Sequence, residues 1–365
     1  MQDVETVVIG AGQAGLATAR SLQKRGRECL VLDRHPRIGD GWRQQWDSLR
    51  LFSPAKFDKL PGLEFPADPW SFPTKDDVAA YLESYAGHWE LPVRLGIRVE
   101  RLARTAGGRF AVRTDAGPIH CDNVVVATGT FGRTPSIPDC AQELDTSILQ
   151  LHSSEYRRPG QLRDGPVLVV GASHSGTDIA FELAAVRPVT LVGRDCGEIP
   201  IRLESRLFRV VYPLLIFAWR HVLTRRTPLG RKELAAVRFH GGPMLRVKRA
   251  DLAERGVVRN ETRVDGVRDG LPCLADGTTV AVTNVIWSTG FRQTFDWIDL
   301  PVLGADGWPR EHRGVADDVP GIYFCGLSFQ YSFSSMLLAG AGRDAEHVVR
   351  HLTQQTNPRR DRRAA

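Results

Sequence analysis

The chain alternates between two hydrophobic periods in a fixed order, and that order occurs twice. Thr6-Val7-Val8-Ile9 is a short apolar, β-branched run that meets glycines and then an amphipathic stretch carrying Leu16, Ala17 and Leu22, closing near Gly26. An apolar run followed by a 3.6-residue period predicts a buried strand entering a helix. Cys29-Leu30-Val31-Leu32 reads as a second strand, and it stops at Asp33. Residues 99–105, 109–114 and 119–126 alternate or run apolar, punctuated by Gly107-Gly108 and Ala116-Gly117, which predicts an antiparallel meander. The meander ends in Val124-Val125-Val126-Ala127-Thr128-Gly129.

The second pass starts at Val167-Leu168-Val169-Val170 and runs through a glycine turn, a helix and the strand Val189-Thr190-Leu191-Val192. Its later meander closes on Val285-Ile286-Trp287-Ser288-Thr289-Gly290, again with a terminal Thr-Gly. Gly321 to Gly326 then reads as one more buried strand and turn, and Ala339-Gly340-Ala341-Gly342 as the lead into a helix running to about His351. The repetition predicts an α/β fold of two Rossmann-like dinucleotide-binding domains, the second inserted in the first. The expected boundaries are 1–158 with 291–353 for the first domain and 159–290 for the insertion, joined near Pro159 and Phe291. Residues 354–365 are expected to form a disordered basic tail.

Composition narrows the class without changing this picture. The chain has 365 residues, 42% hydrophobic and 25% charged, enough for two globular domains. Net charge is +6, and Arg359, Arg360, Arg362 and Arg363 against Asp361 supply half of it, so a nucleic-acid partner is not expected. No charged leader with an apolar core begins the sequence, and a cytoplasmic location is expected. The six cysteines form no C-x-x-C pair, which suits free thiols in a reducing compartment, and no metal-ligand spacing stands out. Val210 to Trp219 is apolar but too short to span a bilayer, and Arg209 and Arg220 flank it. A packed helix of the inserted domain is expected there in preference to a surface-lying amphipathic one.

The candidate chemistry lies in the turns. Gly10-Ala11-Gly12-Gln13-Ala14-Gly15 is a complete G-x-G-x-x-G after a strand, the arrangement that cradles a pyrophosphate at a helix N-terminus. Asp33, roughly 20 residues on, suits an adenosine ribose diol, so this half fits the ADP part of FAD. In Gly171-Ala172-Ser173-His174-Ser175-Gly176 a serine takes the place of the central glycine. The strand that follows ends at Arg194, which can hold a 2′-phosphate and favours NADPH, with Arg202 as a second candidate. Two dinucleotides in one chain meet the requirement for passing a hydride from one cofactor to the other. The cofactor-binding set therefore includes Gly10, Gly12, Gly15, Asp33, Gly171, Ser173, Ser175, Gly176 and Arg194, with the strand ends Ala127, Thr128, Gly129, Thr289 and Gly290.

Further segments carry a resemblance: Gly39-Asp40-Gly41-Trp42, Leu49-Arg50-Leu51-Phe52-Ser53-Pro54, Leu60-Pro61-Gly62, Phe72-Pro73-Thr74-Lys75, Tyr81 to Ala86, and Gly326-Leu327. With the two glycine turns, these cover nearly the whole chain. It resembles the single-component flavin-containing monooxygenases, class B flavoproteins, nearest to their YUCCA-like and CzcO-like members. The resemblance adds Gly41, Trp42, Val99, Gly326 and Leu327 to the cofactor-binding positions. It implies an enzyme that consumes NADPH and molecular oxygen, forms a flavin C4a-(hydro)peroxide and inserts one oxygen atom into a small organic substrate. N-oxygenation, S-oxygenation and attack on a ketone or 2-oxo acid all stay open, as does a homodimer. The family signature F-x-G-x-x-x-H-x-x-x-(F/W/Y) survives only as His152 and Tyr156, with Thr146 and Ile148 at the phenylalanine and glycine positions. His152 is not expected to be a catalytic base, and no catalytic residue is assigned. Phe52, Phe57, Trp70 and Phe72 either line an apolar substrate cavity or pack the first domain. The alternatives are an NADPH-dependent flavoprotein reductase or oxidase without oxygen insertion, and a redox-sensing protein without turnover.

Overall fold

A computed structural model describes residues 2–129, 134–239 and 241–355. The first strand, β1 (Gln2–Ile9), turns through glycines into α1 (Gln13–Lys24) and returns as β2 (Cys29–Leu32). A short α2 (Asp40–Arg43) and a longer α3 (Lys75–His88) lead to β3 (Val93–Arg94). The meander follows as β4 (Val99–Arg104), β5 (Phe110–Thr114) and β6 (Gly117–Val126). After β7 (Thr134–Pro135) and β8 (Leu149–His152), the second unit runs β9 (Val167–Val170), α4 (His174–Leu183) and β10 (Val189–Val192). Three helices come next: α5 (Arg206–His221), α6 (Pro228–Phe239) and α7 (Arg249–Glu254). Strands β11 (Val258–Asn260), β12 (Val264–Arg268), β13 (Leu271–Leu274), β14 (Asn284–Trp287) and β15 (Phe291–Arg292) complete that unit. The chain ends with β16 (Glu311–His312), β17 (Val315–Ala316), β18 (Ile322–Phe324) and α8 (Leu338–Gln354).

Two main sheets result. The first has the order β16-β17-β18-β6-β1-β2-β3, with β4 and β5 joined to it through β6. Strands β18, β6, β1, β2 and β3 are parallel, and where both faces are covered they read as continuous apolar runs: all of β2 and β18, and the ends of β1 (Val7, Val8, Ile9) and β6 (Val124, Val125, Val126). One face packs Leu16, Leu22, Val348 and Val349 of α1 and α8, the other Leu102, Phe110 and Phe295. The second sheet, β11-β10-β9-β14-β8, is parallel throughout. The late strand β18 pairs with β6, which places the end of the chain back in the first sheet.

Two expectations need correction. Strand β8 pairs with β14 inside the second sheet, so 149–152, which the boundary at Pro159 leaves in the first domain, hydrogen-bonds with the insertion. The two crossings instead pair with each other, β7 against β15. Residues 339–342 form the first turns of α8 and do not lead into it. Their glycines serve close packing: a Cβ on Gly340 would lie 1.9 Å from the Ser334 carbonyl oxygen, and one on Gly342 would lie 2.3 Å from the Pro61 ring. The helix also includes Gln354, the first residue of the expected tail, whose residues 356–365 lie outside the described residues.

Candidate functional site

In the first turn, each glycine answers to a different constraint. Gly10 has φ +110° and sits where a Cβ would come 2.6 Å from the Ala127 carbonyl oxygen. Gly15 lets α1 close on the turn, since its Cβ would stand 1.8 Å from the Gly10 oxygen. A Cβ on Gly12, by contrast, would meet nothing within 4 Å. Gly12 is also the N-cap of α1 and provides no side-chain cap, so the helix's first N–H groups are left for another acceptor. Beside the turn, the Thr128 hydroxyl is buried and has no hydrogen-bond partner among the described residues.

Asp33 closes this cradle. Its Oδ2 accepts the Ala11 N–H at 2.7 Å and its Oδ1 accepts the His35 N–H at 2.9 Å, with the His35 ring nitrogen 2.8 Å from Oδ1. Burial works against the charge, but the bonds from His35 and Ala11 hold the carboxyl below the usual range. It stays ionised, with acceptor capacity left over. Ile97 donates its N–H to the Asp33 carbonyl at 2.9 Å, while Val99 stands two residues farther along, partly buried against the core. At the end of β18, a Cβ on Gly326 would fall 2.7 Å from the Ala14 methyl group, so the last strand approaches α1 closely. The N–H groups of Gly326 and Leu327 both donate to the Gln330 side chain, at 2.9 and 3.3 Å. Gly41 and Trp42 lie on α2, which Gly39 caps with φ +88°.

The second turn repeats the first in its backbone. Gly171 has φ +110° against the Ser288 carbonyl, and Gly176 closes on Gly171 as Gly15 does on Gly10. Here too a hydroxyl on the neighbouring strand end, that of Ser288, is buried without a partner among the described residues. The difference is Ser173. Its Oγ donates to the Gly242 carbonyl at 3.0 Å, and a Cβ on Gly241 would come 2.5 Å from the Ser173 Cβ, so the segment before α7 lies directly on this turn. Ser175 sits half-buried in the first turn of α4. Arg194 is exposed, and among the described residues its guanidinium has neither hydrogen bond nor ion pair. Arg202 is committed elsewhere, to Asp251 at 2.8 Å. Asp195, next to Arg194, takes bonds from Arg249 at 2.5 and 2.9 Å and has Arg259 at 3.8 Å. Arg249 and Arg259 are in turn balanced by Glu198 at 3.8 Å and Glu261 at 3.9 Å, which leaves the Arg194 guanidinium as the uncommitted charge at the end of β10 among the described residues.

A loop of the first unit joins the two turns. Trp46 is buried in the core of the second unit with Tyr156, Val169, Ala172 and Ile179. The Phe52 ring lies 6.0 Å from that of His174, at the start of α4. Phe52, Phe57, Trp70 and Phe72 pack against Phe208, Tyr212, Ile216 and Trp219 of α5, so the aromatics form a seam between the units. Within the seam, the Ser53 hydroxyl lies 2.7 and 2.8 Å from the two oxygens of Asp58. Burial pushes the Asp58 carboxyl up to about 8, with the Ser53 bond opposing.

The two crossings are held by their own bonds. The Thr289 hydroxyl donates to the Ser136 carbonyl, and Gly290 accepts from the Ser136 N–H at 2.9 Å and faces the His152 ring nitrogen at 3.0 Å. The other His152 ring nitrogen lies 2.8 Å from the Ser154 hydroxyl. Burial holds this imidazole below its usual range, and with both nitrogens engaged it is a linker residue. Gln330, Asp58 and the segment at Gly241-Gly242 escaped the sequence reading, since no motif marks them. Only Asp195, adjacent to Arg194, carried a readable signal.

The comparisons with known proteins agree with this layout. Residues 7–200 match the pyridine nucleotide-disulphide oxidoreductase family. The chain is 37% identical over 348 residues to an uncharacterised CzcO-like oxidoreductase of Geobacillus kaustophilus, covering 95% of this chain and 97% of that one. It is 29% identical to the indole-3-pyruvate monooxygenase YUCCA1 of Oryza sativa subsp. japonica, covering 97% and 92%. Among solved structures, a flavin-containing monooxygenase from Stenotrophomonas maltophilia superposes with a TM-score of 0.76 at 28% identity, covering 97% of this chain and 99% of that one. The chain is thus an oxidoreductase of the pyridine nucleotide-disulphide oxidoreductase family, on its branch of CzcO-like oxidoreductases and flavin-containing monooxygenases.

Proposed function

We propose that the protein holds FAD at the first glycine turn and NADPH at the second, and uses them with molecular oxygen to oxygenate a small organic substrate. The observation that carries this reading is the pair of turns with matching backbones, joined by a loop that runs from one to the other. The first turn fits a pyrophosphate. It has open space above Gly12, an uncapped helix N-terminus and an orphaned hydroxyl at Thr128. Asp33 keeps lone pairs for ribose hydroxyls, and Gly326 and Leu327 bring the end of β18 against α1. At the second turn, Arg194 offers a 2′-phosphate a guanidinium that has no partner among the described residues.

When bound, the flavin supplies the redox and oxygen chemistry that no side chain of this protein can supply. The chain binds, orients and excludes water. The aromatic seam reaches the second turn through Phe52 against His174, and its apolar rings suit an apolar substrate. Dithiol chemistry has no support from the cysteines. All six are free, and burial pushes the thiols of Cys29, Cys121 and Cys325 up to about 12. The proposed domain assignment follows the sheets, with the FAD unit formed from both ends of the chain and the NADPH unit between them.

The test supplies purified protein with NADPH and isotopically labelled oxygen across amines, sulfides, ketones and 2-oxo acids. One labelled atom per product molecule, with one NADPH consumed for each, is the expected result. Recovery of all the oxygen as hydrogen peroxide for every compound would overturn oxygen insertion. It would leave the oxidase reading, to which Thr146 and Ile148 lend weight.

A further inference from the structure

Helix α5 is apolar on two opposite faces. Its inner row, Phe208, Tyr212, Ile216 and Trp219, is buried in the aromatic seam. Its outer row, Leu207, Val210, Leu214 and Phe217, is 59%, 68%, 69% and 58% exposed. At about 100° per residue the two rows lie on opposite sides of the helix. The outer row continues through Val222 and Leu229 into the start of α6. An exposed apolar row of this length marks a contact surface.

Charge identifies what covers it. Arg206 and Arg209 on α5 and Arg226, Arg231 and Lys232 after it are exposed, and the carboxylates nearest in sequence, Glu204 and Glu233, stand only at the two ends of this stretch. A second copy of the chain docked through this row would set five cations against five, with only Glu204 and Glu233 of each copy to offset them. A bilayer with anionic headgroups satisfies both features. The apolar row enters the acyl boundary while the arginines meet phosphates. No helix among the described residues is long and apolar enough to cross a membrane, so the contact is interfacial.

We propose that the outer face of α5, with the start of α6, docks this protein onto an anionic membrane surface. The inference does not depend on which cofactors or substrate the protein uses. The test is co-sedimentation of the full chain with phosphatidylglycerol–phosphatidylcholine vesicles at low salt, beside vesicles of phosphatidylcholine alone. Binding to the anionic vesicles is expected to be about tenfold or more tighter than to the neutral ones and to weaken with salt. Leu214→Ser with Phe217→Ser, and separately Arg206→Gln with Arg209→Gln, should each reduce it about tenfold while the thermal midpoint stays at the wild-type value. Wild-type protein that stays in the supernatant with anionic vesicles overturns the proposal. So does a solution dimer that the Leu214→Ser/Phe217→Ser pair converts to monomer, which would make a second copy the occupant.

Discussion

Asp58 is 2% exposed, and the Ser53 hydroxyl is its hydrogen-bonding partner. Burial raises its carboxyl to about 8, against an ordinary value of 3.8. The folded protein therefore keeps a proton there that the unfolded chain has lost. Stability from this group is complete below about pH 4 and declines as pH rises toward 8. Asp58→Asn removes the ionisation and retains a partner for Ser53. The difference in thermal midpoint, variant minus wild type, is expected to grow from pH 5 to pH 8 and level off above that. A difference that stays flat across the range would show that Asp58 does not carry the raised pKa. Arg194 is the converse case, an exposed cation with no partner among the described residues, beside an Asp195 already neutralised by Arg249.

At the scale of elements, the first turn separates folding from binding glycine by glycine. Gly15→Ala drives a methyl group to 1.8 Å from backbone in a helix that cannot retreat, so a loss of about 3 kcal/mol or more is expected. Gly12 has φ −78° and ψ −175°, which alanine adopts freely, and its Cβ would point into open space. Stripped of flavin, Gly12→Ala should therefore unfold within about 2 °C of the wild-type apoprotein yet fail to retain added flavin on gel filtration, because the methyl group fills the place proposed for a phosphate. A Gly12→Ala protein that keeps its flavin would exclude that place. In the second turn the same logic meets Ser173, whose hydroxyl is already spent on Gly242. The two turns are alike in backbone and unlike in what lies above them.

For the whole molecule, the join between the units matters most. Trp46 belongs in sequence to the first unit but is 5% exposed in the core of the second. Its removal in Trp46→Ala is expected to cost about 3 kcal/mol or more. It should also speed amide exchange in α4 and β9 beyond that in β1 and β6. Equal acceleration in both sheets would mean that Trp46 supports the molecule as a whole and not the join. The paired crossings β7 and β15, with His152 against Gly290, form the other part of this connection.

The sequence by itself determined the central strands of both sheets, β1, β2, β6, β9, β10, β14 and β18, with the two glycine turns and their order. Those features rest on local physics: apolar runs that parallel strands bury on both faces, and positive φ at Gly10 and Gly171. It also pointed to Asp33 and Arg194, because each stands at the end of a strand that follows a readable turn. Tertiary structure alone decided the rest. The partner of β8, the position of Trp46, the proton on Asp58 and the second apolar face of α5 depend on residues far away in sequence. Burial and charge at such positions are set by what the fold packs against them, and no local period records that.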